Sequence, residues 1–131
     1  QGEVTKKRVH SALAAGCTSC HNPHGSAEKK FFSATGAKLC FSCHPEIGTK
    51  LSALAKSIHS PVKSAQGCAA CHSPHSSDAP KLLAKSTKDL CLDCHKNFIK
   101  PAQTVMHGPL KDGMCLPCHD PHGTQNEKLL V

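Results

Sequence analysis

The chain has 131 residues, the length of one domain, yet ten are Cys, eleven are His, four are Phe and none is Trp or Tyr. With 38% apolar residues, ten of them Cys, the composition argues against a self-sufficient side-chain core, and no run of 18 apolar residues is present to form a transmembrane helix. The formal charge of +7, taken alone, suggests an anionic partner.

Read from the N-terminus, the chain repeats itself. Val9-His10-Ser-Ala-Leu13 returns as Ile58-His59-Ser-Pro-Val62 and Met106-His107-Gly-Pro-Leu110. Each is followed by a C-x-x-C-H-x-P-H run: Cys17, Cys20, His21 and His24; Cys68, Cys71, His72 and His75; Cys115, Cys118, His119 and His122. Polar loops follow at Ser26–Lys30 and Ser76–Lys81. Apolar pairs, Phe31-Phe32, Leu82-Leu83 and Leu129-Leu130, all begin seven residues after the last His of the run. A second C-x-x-C-H then closes the first two units, at Cys40, Cys43 and His44 and at Cys91, Cys94 and His95. The third unit ends before a second motif, so the chain is read as one domain of two and a half repeats, about 9–57, 58–105 and 106–131.

Helices are expected at Glu46–Ile58, where Leu51, Leu54, Ala55 and Ile58 have near-helical spacing, and at Lys96–Met106, where Pro101 would break or start the helix. Short helical turns are expected around each C-x-x-C-H. The fold class expected is mostly irregular with a few short α-helices and little or no β.

Three chemistries use C-x-x-C pairs. A disulfide scaffold explains the even Cys count but not a His after every pair. Zinc sites of four cysteines would leave one of five pairs unmatched. Covalent haem attachment needs C-x-x-C-H, two thiols for the porphyrin vinyl groups and the adjacent His for iron. His makes up 11 of 131 residues, so composition alone would place it after all five pairs about four times in a million. The haem reading is therefore preferred. It assigns Cys17, Cys20, Cys40, Cys43, Cys68, Cys71, Cys91, Cys94, Cys115 and Cys118 to covalent attachment of five haem c groups. His21, His44, His72, His95 and His119 become the proximal iron ligands. It also answers the missing core, since porphyrins would fill it.

Six further His, at 10, 24, 59, 75, 107 and 122, all sit in the repeated frames. Two Met, Met106 and Met114, cannot serve five haems. The six His are therefore read as distal ligands, one of them spare, giving low-potential haems with His on both faces. Doubly ligated iron leaves no open site, which weighs against an enzyme. The proline in C-H-x-P-H keeps three residues from wrapping a porphyrin edge, so the two His of one run should serve different haems with nearly touching macrocycles.

The runs "CTSCHNPHGS…AKLCFSCH", "CAACHSPHSS…KDLCLDCH" and "CLPCHDPHGT…KLL" resemble the doubled C-x-x-C-H family of multihaem c-type cytochromes. The resemblance implies electron transfer without substrate chemistry, in the periplasm or outside the cell, either as a shuttle or as a protomer of an extracellular haem filament. Redox proteins or extracellular metal acceptors would be the partners; nucleic acid is not. The alternative is a multihaem oxidoreductase, or an electron-donor subunit of a reductase, with one open haem. The chain begins at Gln1 with no signal segment visible, as expected of a mature exported protein. Carried over, the pattern pairs each distal His with a haem of its own unit: His10 with the haem of His21, His24 with that of His44, His59 with that of His72, His75 with that of His95, and His107 with that of His119. His122 is then left over, or it (or His10, if the pairing shifts) ligates a haem of the next protomer in a head-to-tail polymer. Ten propionates and five ferric centres would bring the charge of +7 to about +2 oxidised and about −3 reduced.

Overall fold

Nine prolines and nine glycines among 131 residues keep every regular element short. In the computed structural model, residues 4–54, 56–100 and 104–131 are described, and most are turns, bends and single 3-10 turns. The helices are α1 (Ala37–Phe41), α2 (Pro45–Thr49), α3 (Thr87–Cys94) and α4 (Gly108–Lys111). The strands are pairs of residues: β1 (Arg8–Val9), β2 (Ser57–Ile58), β3 (Ser76–Ser77) and β4 (Gly123–Thr124). The chain is thus mostly irregular with little sheet, as its composition predicts.

The strands join units rather than build a sheet. β1 pairs antiparallel with β3, Arg8 opposite Ser77 and Val9 opposite Ser76. One repeat later β2 pairs with β4, Ser57 opposite Thr124 and Ile58 opposite Gly123. In each case the strand before a leading His meets the strand after a C-H-x-P-H of the following unit. Ser76 and Ser77 are the most buried polar residues, at 1% and 3% exposure. Their segment was expected to be a polar loop. The Ser77 hydroxyl instead donates to the Leu83 carbonyl and accepts from Ala79 N–H, which satisfies it inside the junction.

Two helix expectations are corrected. The Glu46–Ile58 segment is α2 followed by a single wide turn at Lys50–Leu54, and Ile58 is extended. The pairing with β4 demands extended backbone before His59, and it wins over apolar spacing. Gly48, inside α2, lies against the Phe41 ring, where an added Cβ would come within 3.1 Å. The Lys96–Met106 segment is a 3-10 turn at Lys96–Phe98 followed by extended Ile99; Ala55 and Pro101 lie outside the described residues. The longest helix, α3, forms elsewhere because Ser86 caps it: its hydroxyl accepts from Asp89 N–H at 3.2 Å.

Among the described residues no apolar side chain is buried. Phe31, Phe98, Val105, Met114 and Leu130 are among the large apolar residues left exposed. Side-chain packing alone does not hold this chain together, which is what its lack of aromatics foretold. One tight approach does occur between units: Gly113 (φ +73°) packs so closely on α3 that a Cβ would lie 2.5 Å from the Lys88 side chain.

Candidate metal centre

All five C-x-x-C-H motifs fold into one helical turn. The His N–H donates to the carbonyl of the first Cys in each: His21 to Cys17 at 3.0 Å, His44 to Cys40 at 2.9 Å, His72 to Cys68 at 3.0 Å, His95 to Cys91 at 2.9 Å and His119 to Cys115 at 3.1 Å. Residues three and four apart share a helix face, so each turn presents two thiols and an imidazole together. All ten thiols are free of disulfides.

Thiols of successive motifs lie close enough to perturb one another. Burial pushes the Cys40 thiol up to about 11, helped by the charge of and hydrogen bond to Cys68 and by the charge of Cys20. Burial does the same to Cys91, also to about 11, with Cys115 and then Cys71 contributing. Cys71 is raised by burial, then by Cys94 and Cys68. Motif one therefore adjoins motif two, two adjoins three, three adjoins four and four adjoins five, in chain order.

The imidazoles come in facing pairs. His10 stacks on His44 with ring centres 6.2 Å apart and planes 14° apart. His59 stacks on His95 at 6.1 Å and 18°. His72 stacks on His122 at 6.1 Å and 12°. His21 faces His75 at 6.2 Å and 32°. This is a different pairing from the one the family pattern implied. A leading His faces the second motif of its own unit, and a C-H-x-P-H His faces the first motif of the unit before. The junction strands explain why: His10 N–H donates to His75 carbonyl at 2.9 Å and His59 N–H to His122 carbonyl at 3.3 Å, which carries each leading His past its own first motif. His10 and His122, suspected of being surplus, both have partners. His24, His107 and His119 have no facing imidazole among the described residues. The two His of His72-Ser-Pro-His75 face different partners, in keeping with the short proline-bound link.

A backbone carbonyl fixes the tautomer of five rings. His21 Nδ1 meets Lys30 carbonyl at 2.8 Å, His72 Nδ1 meets Lys81 carbonyl at 2.8 Å, and His119 Nδ1 meets Lys128 carbonyl at 2.9 Å. His10 Nδ1 meets Pro74 carbonyl at 3.0 Å and His59 Nδ1 meets Pro121 carbonyl at 3.1 Å. A neutral ring that donates Nδ1–H to a carbonyl leaves Nε2 as the lone pair for a metal. The lysine carbonyls reach the rings because Lys30-Phe31, Lys81-Leu82 and Lys128-Leu129 all hold the left-handed backbone, with φ between 55° and 60°. These carbonyls were not foreseen. The fixed offset of the apolar pairs is visible in the sequence, but nothing in it marks strained backbone.

At His122 the backbone N–H donates to Asp120 Oδ1 at 3.0 Å, the ring Nδ1 lies 3.6 Å from the same oxygen, and Asp120 is ion-paired with Lys50 of the first unit. Burial pushes the His122 ring below the usual His range, with Asp120 opposing and His72, Lys50 and His59 adding to the fall. Phe32 stacks on His21 at 5.2 Å and Phe98 meets His95 edge-on at 5.7 Å, giving two of the four Phe a place beside paired imidazoles.

The donor set fits haem. A metal–imidazole bond of about 2.0 Å, with the ring centre roughly 1.1 Å beyond the nitrogen, sets two rings on opposite sides of one metal about 6.2 Å apart. The four observed separations are 6.1–6.2 Å. In each pair one imidazole follows two thiols on one turn, and a second approaches from the other side. A structural zinc site would instead gather four donors at one point.

The chain matches the doubled CXXCH motif family over residues 10–49, 59–100 and 107–131, one match for each repeat, and belongs to that family. It is also similar to the multiheme cytochrome MtrA of Shewanella baltica (strain OS185), with 33% identity over 92% of this chain. The chain spans 42% of that relative's length.

Proposed function

We propose that the protein conducts electrons through five covalently attached c-type haems, four of them held by two histidines within the chain. When bound, each haem supplies a one-electron ferric/ferrous couple. The observation that carries this reading is the set of four facing imidazole pairs, each built on a C-x-x-C-H turn. Cys17 and Cys20, Cys40 and Cys43, Cys68 and Cys71, Cys91 and Cys94, and Cys115 and Cys118 tether the groups. His21, His44, His72, His95 and His119 ligate on one side. His75, His10, His122 and His59 ligate the first four from the other. Carbonyls of Lys30, Lys81, Lys128, Pro74 and Pro121 hold five of these rings in the tautomer that ligates, and strengthen them as donors. Electron-rich His ligation, without Met, keeps the potentials low. The adjacency of successive motifs, read from their thiols, orders the conduit along the chain.

The whole chain acts as one unit of two and a half repeats, because each junction strand and each His21- or His72-type pair joins neighbouring units. It works in the periplasm or at the cell exterior, exchanging electrons with redox proteins or extracellular acceptors. Among the described residues no helix is long and apolar enough to cross a membrane. Intact mass and a reduced-minus-oxidised visible spectrum of the purified protein test the reading. The expected result is a mass excess of five haems with low-spin bands. A mass equal to the bare chain, or zinc in place of iron, would overturn it. A second reading, an oxidoreductase or donor subunit with one open haem, draws on His119, which has no facing imidazole among the described residues.

A further inference from the structure

The residue between the two histidines of each C-H-x-P-H run differs: Asn22, Ser73 and Asp120. Two of them do the same structural work. Asn22 Oδ1 accepts from His24 N–H at 3.1 Å, and Asp120 Oδ1 accepts from His122 N–H at 3.0 Å. A neutral amide oxygen therefore suffices to close this turn, and the charge of Asp120 is left to explain. Its Oδ1 lies 3.6 Å from His122 Nδ1, too far for a hydrogen bond but close enough to act on the ring by charge. The rings of His10 and His59 meet neutral carbonyls instead, those of Pro74 and Pro121. The other oxygen of Asp120, Oδ2, takes the Lys50 ammonium. Lys50 begins the wide turn after α2, 70 residues away in sequence, so a lysine of the first unit holds a carboxylate against a ring of the third. The Asp120 and His122 side chains are 22% and 35% exposed. His44 Nδ1 also lies 3.6 Å from a carboxylate, Glu46 Oε1, but those side chains are 53% and 65% exposed, where water screens the charge.

We infer that Asp120 is a positioning residue that sets the reduction potential of the His72–His122 centre, with Lys50 as its counterweight. The inference rests on the haem reading above. Asp120 touches the distal ring and not the metal, so it acts through His122. A negative charge beside the ring strengthens it as a donor and favours ferric over ferrous iron, as outer partners of ligating histidines do. Asp120 thus lowers this couple. Lys50 pairs with Oδ2 rather than Oδ1, so it offsets the charge only in part. No bond is made or broken and no proton moves; the residue acts by charge alone. Motif three is the middle one of five, so electrons that cross the chain in motif order pass this centre.

Holoprotein and its variants are titrated by spectroelectrochemistry at pH 7, and electron paramagnetic resonance of the oxidised state reports ligation. Asp120→Asn keeps an oxygen for His122 N–H, as Asn22 does for His24, and deletes the charge. One couple should rise, by about a tenfold change in its ferric-to-ferrous ratio at fixed potential, which for one electron is about 59 mV. Lys50→Gln leaves Asp120 held by His122 N–H but without its cation, so the same couple should fall. Glu46→Gln, at the exposed contact, should move its couple less than Asp120→Asn moves this one. All three variants should keep the low-spin signal of the unaltered protein. A merely structural contact between units would be loosened by either change and would shift the couple the same way in both. Shifts of equal sign in Asp120→Asn and Lys50→Gln would therefore overturn the inference. So would the absence of a shift in either, or loss of low-spin iron in Asp120→Asn. Failure of the haem reading itself would look different: the unaltered protein would show no Soret band.

Discussion

The three Lys-apolar pairs in left-handed backbone carry much of the site's precision. Six non-glycine residues with φ of 55–60° form three matching turns, and each turn aims one carbonyl at the Nδ1 of a C-x-x-C-H His. A β-branched side chain tolerates this region poorly. Leu82→Val should cost about 1–2 kcal/mol in denaturant unfolding of the holoprotein. The same change at Leu83, in ordinary extended backbone, should cost less. It should also raise the potential of the His72 haem, as the Lys81 carbonyl slips away. Asp120 offers a second test. Its burial pushes the carboxyl up, but the Lys50 ammonium and the His122 N–H outweigh this and hold it below the usual carboxylate range. A depressed carboxylate stabilises above its unfolded pKa, so the contribution is full above about pH 4 and is lost as pH falls through the native value. Asp120 is only partly buried, so Asp120→Asn should cost no more than about 1 kcal/mol at pH 7, and less below pH 4, by thermal melts at both pH values. The cysteine and histidine positions were legible in the sequence because their spacing is chemical. The carbonyls were not, because a backbone group leaves no letter of its own.

At the level of elements, the helices follow caps and junctions more than apolar spacing. Ser86→Ala removes the side-chain bond to Asp89 N–H and should cost about 1 kcal/mol, read by chemical denaturation with haem content unchanged. Ser77→Ala strips the partner from the Leu83 carbonyl inside a closed junction. It should cost about 1–3 kcal/mol, more than the same change at exposed Ser52. The repeat itself was plain in the sequence, and so was the existence of units. Which unit's His meets which motif was not. His10 lies closer in sequence to His21 than to His44, and only the pairing of Arg8–Val9 with Ser76–Ser77 reveals that the chain carries it past the nearer partner. Long-range strand pairing of two residues is too short to leave a periodic signal.

For the whole molecule, no apolar side chain is buried among the described residues, so haem attachment and folding are expected to be one event. Chain expressed without haem attachment should show the far-ultraviolet circular dichroism of an unfolded polypeptide, while the holoprotein shows a cooperative melt. A native-like spectrum from the haem-free chain would contradict this. The charge balance would change with it: with the five haems proposed above, propionates and iron would bring the polypeptide's +7 close to neutral, with a sign that depends on the oxidation state.

The crossed pairing also imposes an order in time. His10 precedes His44, and His59 precedes His95, so those two centres find their second imidazole already made when the motif emerges. His21 and His72 must wait for His75 and His122, about fifty residues further along the chain. The first centre of each of these two units is therefore provisional until the next unit arrives. Closing it needs a distant contact, the slow kind in folding. Each unit thus inspects its predecessor: a unit that fails to follow leaves the one before it unfinished.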